Sequence, residues 1–309
     1  MKRREFISLL GGAVAWPLAA RAQQGQRMRR IGVLLRVAQD DPDAQLDLQA
    51  LRKGLQAVGW VAGHNIEVNY RYASADLDQM RAYAAELVGL IVAGGSLAVA
   101  ALRRETNILP IVFVRVADPV GQGFVASLAR PGNNVTGFTS FEYEIIGKWL
   151  GLLKDIAPHL DRVALMFNPT TAPYGPGFFR SFETVAPSFA VKPIGALIRD
   201  AAEIEAAISA LEQGARGGLI VLPDAFTDVY REQIIALAAR HRVPSVYGYR
   251  NLAAVGGLIS YGVKSADIYR RAATWIASSK VKGPPIYRCN GRQPLNWPSM
   301  PRPPGSLVS

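Results

Sequence analysis

Short, wholly apolar runs alternate with amphipathic segments from Arg30 to about Trp275, and this alternation limits what the chain can fold into more than any other feature. Ile31-Gly-Val-Leu-Leu35 is apolar at every position, as a strand covered on both faces must be. In residues 44–58, Leu48, Leu51, Leu55 and Val58 recur at helical spacing, and Gly59 supplies a stop. Strands are predicted over 66–72, 91–93, 110–114 and 135–139, with helices over 76–87 and from Gly94-Gly95-Ser96 to Arg103. A long helix, 142–156, opens a second group. Its strands are 163–167, 191–198, 218–222 and 244–247, and its helices 177–186, 201–213 and 228–241. Residues 256–262 read as one more strand, expected to return to the first group, and 265–278 as a helix. The fold class is therefore α/β, with two doubly wound, Rossmann-like parallel-sheet lobes joined by a hinge around a cleft. Lobe 1 is expected to hold 29–140 and 252–279, and lobe 2 residues 141–251. Hinge segments are expected near Thr139 and Gly248, with a third crossing missing.

The N-terminus predicts where such a protein works. Lys2-Arg3-Arg4-Glu5-Phe6-Ile7 places paired arginines before an apolar stretch that Gly11, Gly12 and Pro17 interrupt, and Ala20-Arg21-Ala22 has the small-x-small cleavage pattern. This resembles a twin-arginine export signal, cleaved near Ala22, and implies a periplasmic protein. An uncleaved anchor is the other reading, although the run is short for a membrane span.

The net charge of +11 suggests nucleic acid until it is located. The leader and the last thirty residues carry most of it, so the domain pair is nearly balanced and no nucleic-acid partner is expected. Cys289 is the sole cysteine, which leaves the apolar core to hold the fold. Residues 280–309 differ abruptly, with seven of the chain's twenty prolines and no acid. A disordered basic tail fits that composition. A displaced reading frame beginning near Thr274 fits it too. Synonymous codons for this stretch, shifted by two nucleotides, can encode a helix end, an acidic-proline turn, a strand and a further helix.

Several stretches together resemble the tryptophan/tyrosine-type substrate-binding proteins of ABC importers, which have the class I periplasmic-binding-protein fold. They are Arg30-Ile-Gly-Val-Leu34, Gly59-Trp-Val-Ala-Gly-His-Asn-Ile-Glu-Val-Asn-Tyr-Arg71, Ile91-Val-Ala-Gly-Gly95, Pro110-Ile-Val-Phe113, Asp118-Pro-Val-Gly121, Ser127-Leu-Ala-Arg-Pro-Gly-Asn-Asn-Val-Thr-Gly137 and Gly257-Leu-Ile-Ser-Tyr-Gly262. The resemblance implies an amino-acid-like or aromatic solute, a membrane permease as partner, a monomer and no cofactor. Two departures stand out. The family's ending is lost, and the turn the family carries between the equivalents of Leu90 and Ile91 is absent, so the third strand should be shortened or its helix frayed.

Ligands of parallel α/β lobes sit beyond the carboxyl ends of the strands, near helix N-termini. On that ground Arg36 can meet a carboxylate or simply be solvated. Gly94, Gly95 and Ser96 offer backbone N–H groups, with Ser96 capping the helix or binding a carboxylate. Asp118 either caps its turn or meets an ammonium, and Thr139 and Ser140 are hinge or cleft wall. In lobe 2, Asn168, Tyr174, Asp224, Phe226 and Tyr247 follow strands. Asp224 can pair with an ammonium or start a helix, and Phe226 and Tyr247 can stack on a solute or fill the core. His64, His159 and His241 lack metal-ligand spacing, and neither a nucleophile elbow nor a phosphate loop is present. A catalytic or metal site is not expected. The other readings are a secreted α/β enzyme in the same cleft, an effector-binding module of a regulator, and a damaged receptor remnant that binds nothing.

Overall fold

The computed structural model describes residues 28–212 and 216–278. The expected export signal and the basic tail lie outside the described residues. The first sheet contains β1 (Arg29–Leu35), β2 (Ile66–Tyr72), β3 (Leu90–Gly94), β4 (Ile111–Val116) and β5 (Val135–Thr139), in the order β2-β1-β3-β4-β5. The second contains β6 (Arg162–Phe167), β7 (Lys192–Leu197), β8 (Gly217–Val221), β9 (Ser245–Tyr247) and β10 (Ile259–Ser260), in the order β7-β6-β8-β9-β10. Every pairing is parallel, and both sheets carry one topology: second strand, first, third, fourth, fifth. In that order the switch point falls between the first and third strands, β1 and β3 in lobe 1 and β6 and β8 in lobe 2.

Helices cover both faces of the first sheet. On one side lie α1 (Pro42–Ala57) and the last helix, α10 (Ser265–Ser278), which packs so closely on α1 that a Cβ on Gly54 would lie 2.7 Å from that of Ala273. Leu48, Leu51 and Leu55 are buried there, whereas Val58, expected on the same stripe, is exposed because the helix has already ended at Ala57. On the other side lie α2 (Leu77–Glu86) and α3 (Ser96–Glu105), burying Met80, Ala84, Val99 and Leu102. The helix before β3 stops at Glu86, and Gly89, at φ +86°, makes the turn. The strand is thus a full five residues, and the helix is the element that shortens.

The second sheet is covered by α4 (Ile145–Ile156), α5 (Gly175–Val185), α6 (Ala201–Glu212), α7 (Ala225–Val229) and α8 (Arg231–Arg240), with the short α9 (Arg250–Ala254) before β10. One continuous core joins Trp149, Leu153, Phe178 and Phe182 to the strands. The single helix predicted over 228–241 is two helices, broken at Tyr230.

One expectation is overturned. The strand after Gly257 does not return to lobe 1: Ile259 and Ser260 pair with Val246 and Tyr247 of β9, completing the second sheet. Lobe 2 therefore runs on to Ser260, Gly248 lies within it, and the chain crosses back between Tyr261 and Lys264, ahead of α10. The outward crossing follows β5. The two crossings meet around Phe141, whose ring lies 5.5 Å from Trp149 and 5.2 Å from Tyr249. Trp149 Nε1 donates to the Tyr261 carbonyl at 2.7 Å, tying α4 to the return crossing.

Candidate functional site

The carboxyl ends of both sheets face one another at the lobe boundary. Arg36 leaves β1 at the lobe 1 switch point and is 5 % exposed. Its side chain lies over Gly95, where an added Cβ would come within 2.9 Å of Cδ, and Gly95 at φ +97° caps α3 without a side chain. A guanidinium and a helix N-terminus thus converge, and both favour an anion. Gly94 lets β3 pass close to Leu35 and the Tyr269 hydroxyl. Ser96 does not cap, contrary to one expectation. As the first residue of α3 it is buried, and its Oγ accepts from Gln122 Nε2 at 3.0 Å.

Arg36 is neither solvated nor turned to open solvent. Its Nη2 donates to Oδ2 of Asp228, near the end of the short helix α7 of lobe 2. Arg115 approaches the same oxygen at 3.4 Å and reaches Asp47 on α1 at 3.6 Å. Arg115 interrupts the β4 ladder at a register shift between Val114 and Val116, with φ +57°, a backbone conformation unusual for an arginine. The bulge turns this residue out of the strand. Its guanidinium then packs 4.3 Å from the Tyr249 ring centre, and its Nε has no hydrogen-bond partner among the described residues. Asp47, held also by the Ser265 hydroxyl at 2.6 Å, is pushed up to about 6, chiefly by burial. Two cations and two carboxylates therefore share one largely buried space.

Two further pairs lie beside this cluster. Arg231 donates to Asp41 at 2.8 Å, and Asn251 Nδ2 donates to Asp43 at 2.6 Å. Asp41 also accepts from Ala44 N at 2.9 Å, as the N-cap of α1.

Other candidates serve the fold. Asp224 is fully buried and caps α7, accepting from Thr227 N at 2.9 Å, the Thr171 hydroxyl at 2.9 Å and Asn168 N at 3.1 Å. With those acceptor sites taken, it is a structural cap rather than a partner for an ammonium. Burial pushes it to about 6. Asn168 closes its own turn by accepting from Thr170 N at 2.8 Å. Tyr174 donates to the Pro223 carbonyl, and Thr139 Oγ1 to the Val116 carbonyl at 3.0 Å. Tyr247 is 2 % exposed and packs in the core, the second of the two roles its position left open, and is not placed to stack on a solute. Phe226 is half-buried against Tyr230, at 4.5 Å between centroids. Asp118, at φ +41°, closes its turn onto Gly121 N at 2.9 Å and accepts from the Tyr143 hydroxyl. Ser140 accepts from the Tyr249 hydroxyl at 3.3 Å.

Sequence reasoning missed Arg115, Asp47 and Asp228. Two of them carried a signal: Arg115 is the one charge in the strand Ile-Val-Phe-Val-Arg-Val, and Asp47 sits on the apolar stripe of α1 between Ala44 and Leu51. Asp228 carried none. Among the described residues no cluster of three or more His, Cys, Asp or Glu could hold a metal, and no helix is long and apolar enough to cross a membrane.

Paired parallel lobes with a polar boundary at their carboxyl ends define a two-lobe α/β binding architecture. Residues 30–285 match the family model described as ABC transporter substrate binding protein, and the chain belongs to that family. A curated relative, the tyrosine-binding protein of Clostridioides difficile strain R20291, is 29 % identical over 147 residues. That alignment takes in 46 % of this chain and 41 % of the relative. A conserved domain protein of Vibrio cholerae O1 biovar eltor superposes with a TM-score of 0.74 at 24 % identity, covering 81 % of this chain and 84 % of that one. An ABC domain from Streptococcus pneumonia in complex with L-Trp gives 0.73 at 19 % identity, over 81 % and 83 %. These two likenesses show the fold.

Proposed function

We propose that this protein is an extracytoplasmic receptor that captures a small amino-acid-like or aromatic solute between its lobes and delivers it to an ABC permease. The carrying observation is the meeting of Arg36, at the switch point of lobe 1, with Asp228 of lobe 2. Contacts of this kind form only when the lobes come together, so closure can be coupled to what the cleft holds. No chemistry is required of the cleft. The tyrosine-binding relative and the L-Trp complex support an amino-acid solute, and the paired arginines and apolar stretch at the N-terminus support export from the cytoplasm.

A solute that binds only the folded state raises the melting temperature by mass action. The expected result is a concentration-dependent shift with at least one member of a panel of amino acids and aromatic acids. A melt unmoved by the whole panel at millimolar concentration overturns this reading.

The composition of residues 280–309 supports a second reading, in which the frame is displaced near Thr274 and the product is a receptor remnant. Resequencing the coding DNA from Thr274 to Ser309 separates the two. A genome without the shift restores a normal ending and removes this reading.

A further inference from the structure

The buried boundary cluster limits the solute more narrowly than the fold does. Arg36 and Arg115 direct their guanidinium groups at one oxygen of Asp228, a carboxylate delivered from the other lobe. The three side chains are 6 %, 10 % and 11 % exposed, and Asp47, at 4 %, completes a set with no net charge. Removing a carboxylate from between two buried guanidinium groups is strongly unfavourable unless another anion takes its place. Arg36 also lies across the N-terminus of α3, so such an anion would meet the helix dipole there. Arg115 Nε, buried without a partner among the described residues, is a further donor on the same side chain.

We propose that Arg36 and Arg115 form a clamp for a solute carboxylate, and that the Asp228 carboxylate is the group which the solute replaces. The proposal rests on the reading of the cleft as a solute site. Charge balance then sets the solute class. An entering carboxylate releases Asp228, which remains partly buried and needs a cation. A solute carrying its own ammonium supplies that cation and leaves the cluster neutral, whereas a neutral sugar or polyol brings no anion to take the place of Asp228 and so cannot open the pair. Arg115 is thus a specificity-determining residue, selecting zwitterions over neutral solutes. A bidentate guanidinium suits a carboxylate better than an ammonium point charge would.

The test uses the full chain as wild type, Asp228→Asn and Arg115→Gln, each checked for native circular dichroism. Calorimetry is run with L-tyrosine, with 3-(4-hydroxyphenyl)propionate, which lacks the ammonium, and with tyramine, which lacks the carboxylate. Asp228→Asn should tighten the propionate by about tenfold, because its internal rival is gone, and weaken L-tyrosine relative to it. Arg115→Gln should weaken both carboxylate probes by about tenfold and leave tyramine unchanged. Equal weakening of all probes by Asp228→Asn, or carboxylate binding untouched by Arg115→Gln, overturns the clamp while the receptor reading stands. Binding of no probe by wild type or Asp228→Asn overturns the clamp together with the amino-acid solute. A melting shift with a neutral solute would then preserve the receptor alone. If either variant does not fold, nitrogen-15 spectra of the wild-type arginine side chains decide. Arg36 and Arg115 Nε–H signals that move with the propionate and not with tyramine support the clamp, and unmoved signals overturn it.

Discussion

Arg231 of lobe 2 donates a hydrogen bond to Asp41 of lobe 1 across 190 residues of sequence, at 2.8 Å, while Asp41 also caps α1. The side chains are 17 % and 9 % exposed, so the pair is better shielded than an ordinary surface bridge. Arg231→Gln should leave the cap intact and loosen the lobe boundary. We expect a loss of about 1–2 kcal/mol of closure free energy, roughly a tenfold shift toward open forms. Small-angle scattering should report a larger radius of gyration with unchanged secondary structure. An unchanged radius would show that this pair does not hold the lobes together.

Asp224 anchors lobe 2 from within. It joins the end of β8 to the turn after β6 through Thr227, Thr171 and Asn168. Asp224→Ala leaves those donors buried and unpaired, and should cost about 2–4 kcal/mol in urea unfolding. A loss under about 1 kcal/mol would mean that water replaces the carboxylate, against its complete burial.

Two glycines separate crowding from backbone strain. A Cβ on Gly262 would collide with the Gly248 carbonyl and the Phe141 ring where the chain returns to lobe 1. Gly59 has φ +84° with open space around it. Gly59→Ala should cost about 1 kcal/mol, and Gly262→Ala distinctly more. Paired thermal melts test the order, and equal costs would remove the case for a tightly packed crossing.

Asp47 links stability to pH. Burial holds it at about 6 in the folded protein, above its ordinary 3.8. The native state therefore binds more protons than the unfolded state between those values, and its stability falls as pH rises through that window. The contribution is fully present below about pH 4, is lost above about pH 6, and amounts to about 2–3 kcal/mol. In Asp47→Asn the melting temperature should fall less steeply between about pH 4 and pH 6, where the folded and unfolded wild-type chains differ most in bound protons. Parallel slopes for the two proteins would contradict this.

Local pattern made much of the architecture legible. Strand 66–72 and helix 265–278 coincide with β2 and α10, because uninterrupted apolar or amphipathic periodicity is a property of neighbours in sequence. The places of Arg36 and Gly95 just beyond the first and third strands were equally legible, since each follows an apolar run. For Tyr247 and Asp224 the sequence left a binding and a structural role open. Tyr247 and Asp224 follow strands as site residues do, yet the core and a capping box claim them. Exposure is settled by what packs against a residue, and position after a strand does not report it.

The sequence by itself determined that apolar strands would alternate with helices, and hence that two parallel sheets would form in series. The tertiary structure decided which sheet each late element joins, placing β10 beside β9 and α10 beside α1. It also decided that Arg36 would meet Asp228, 192 residues away, and that Arg115 would turn from its strand toward the same carboxylate. Hydrophobic periodicity acts over a few residues and survives in any context. A buried ion pair exists only once two lobes have brought their charges out of water together.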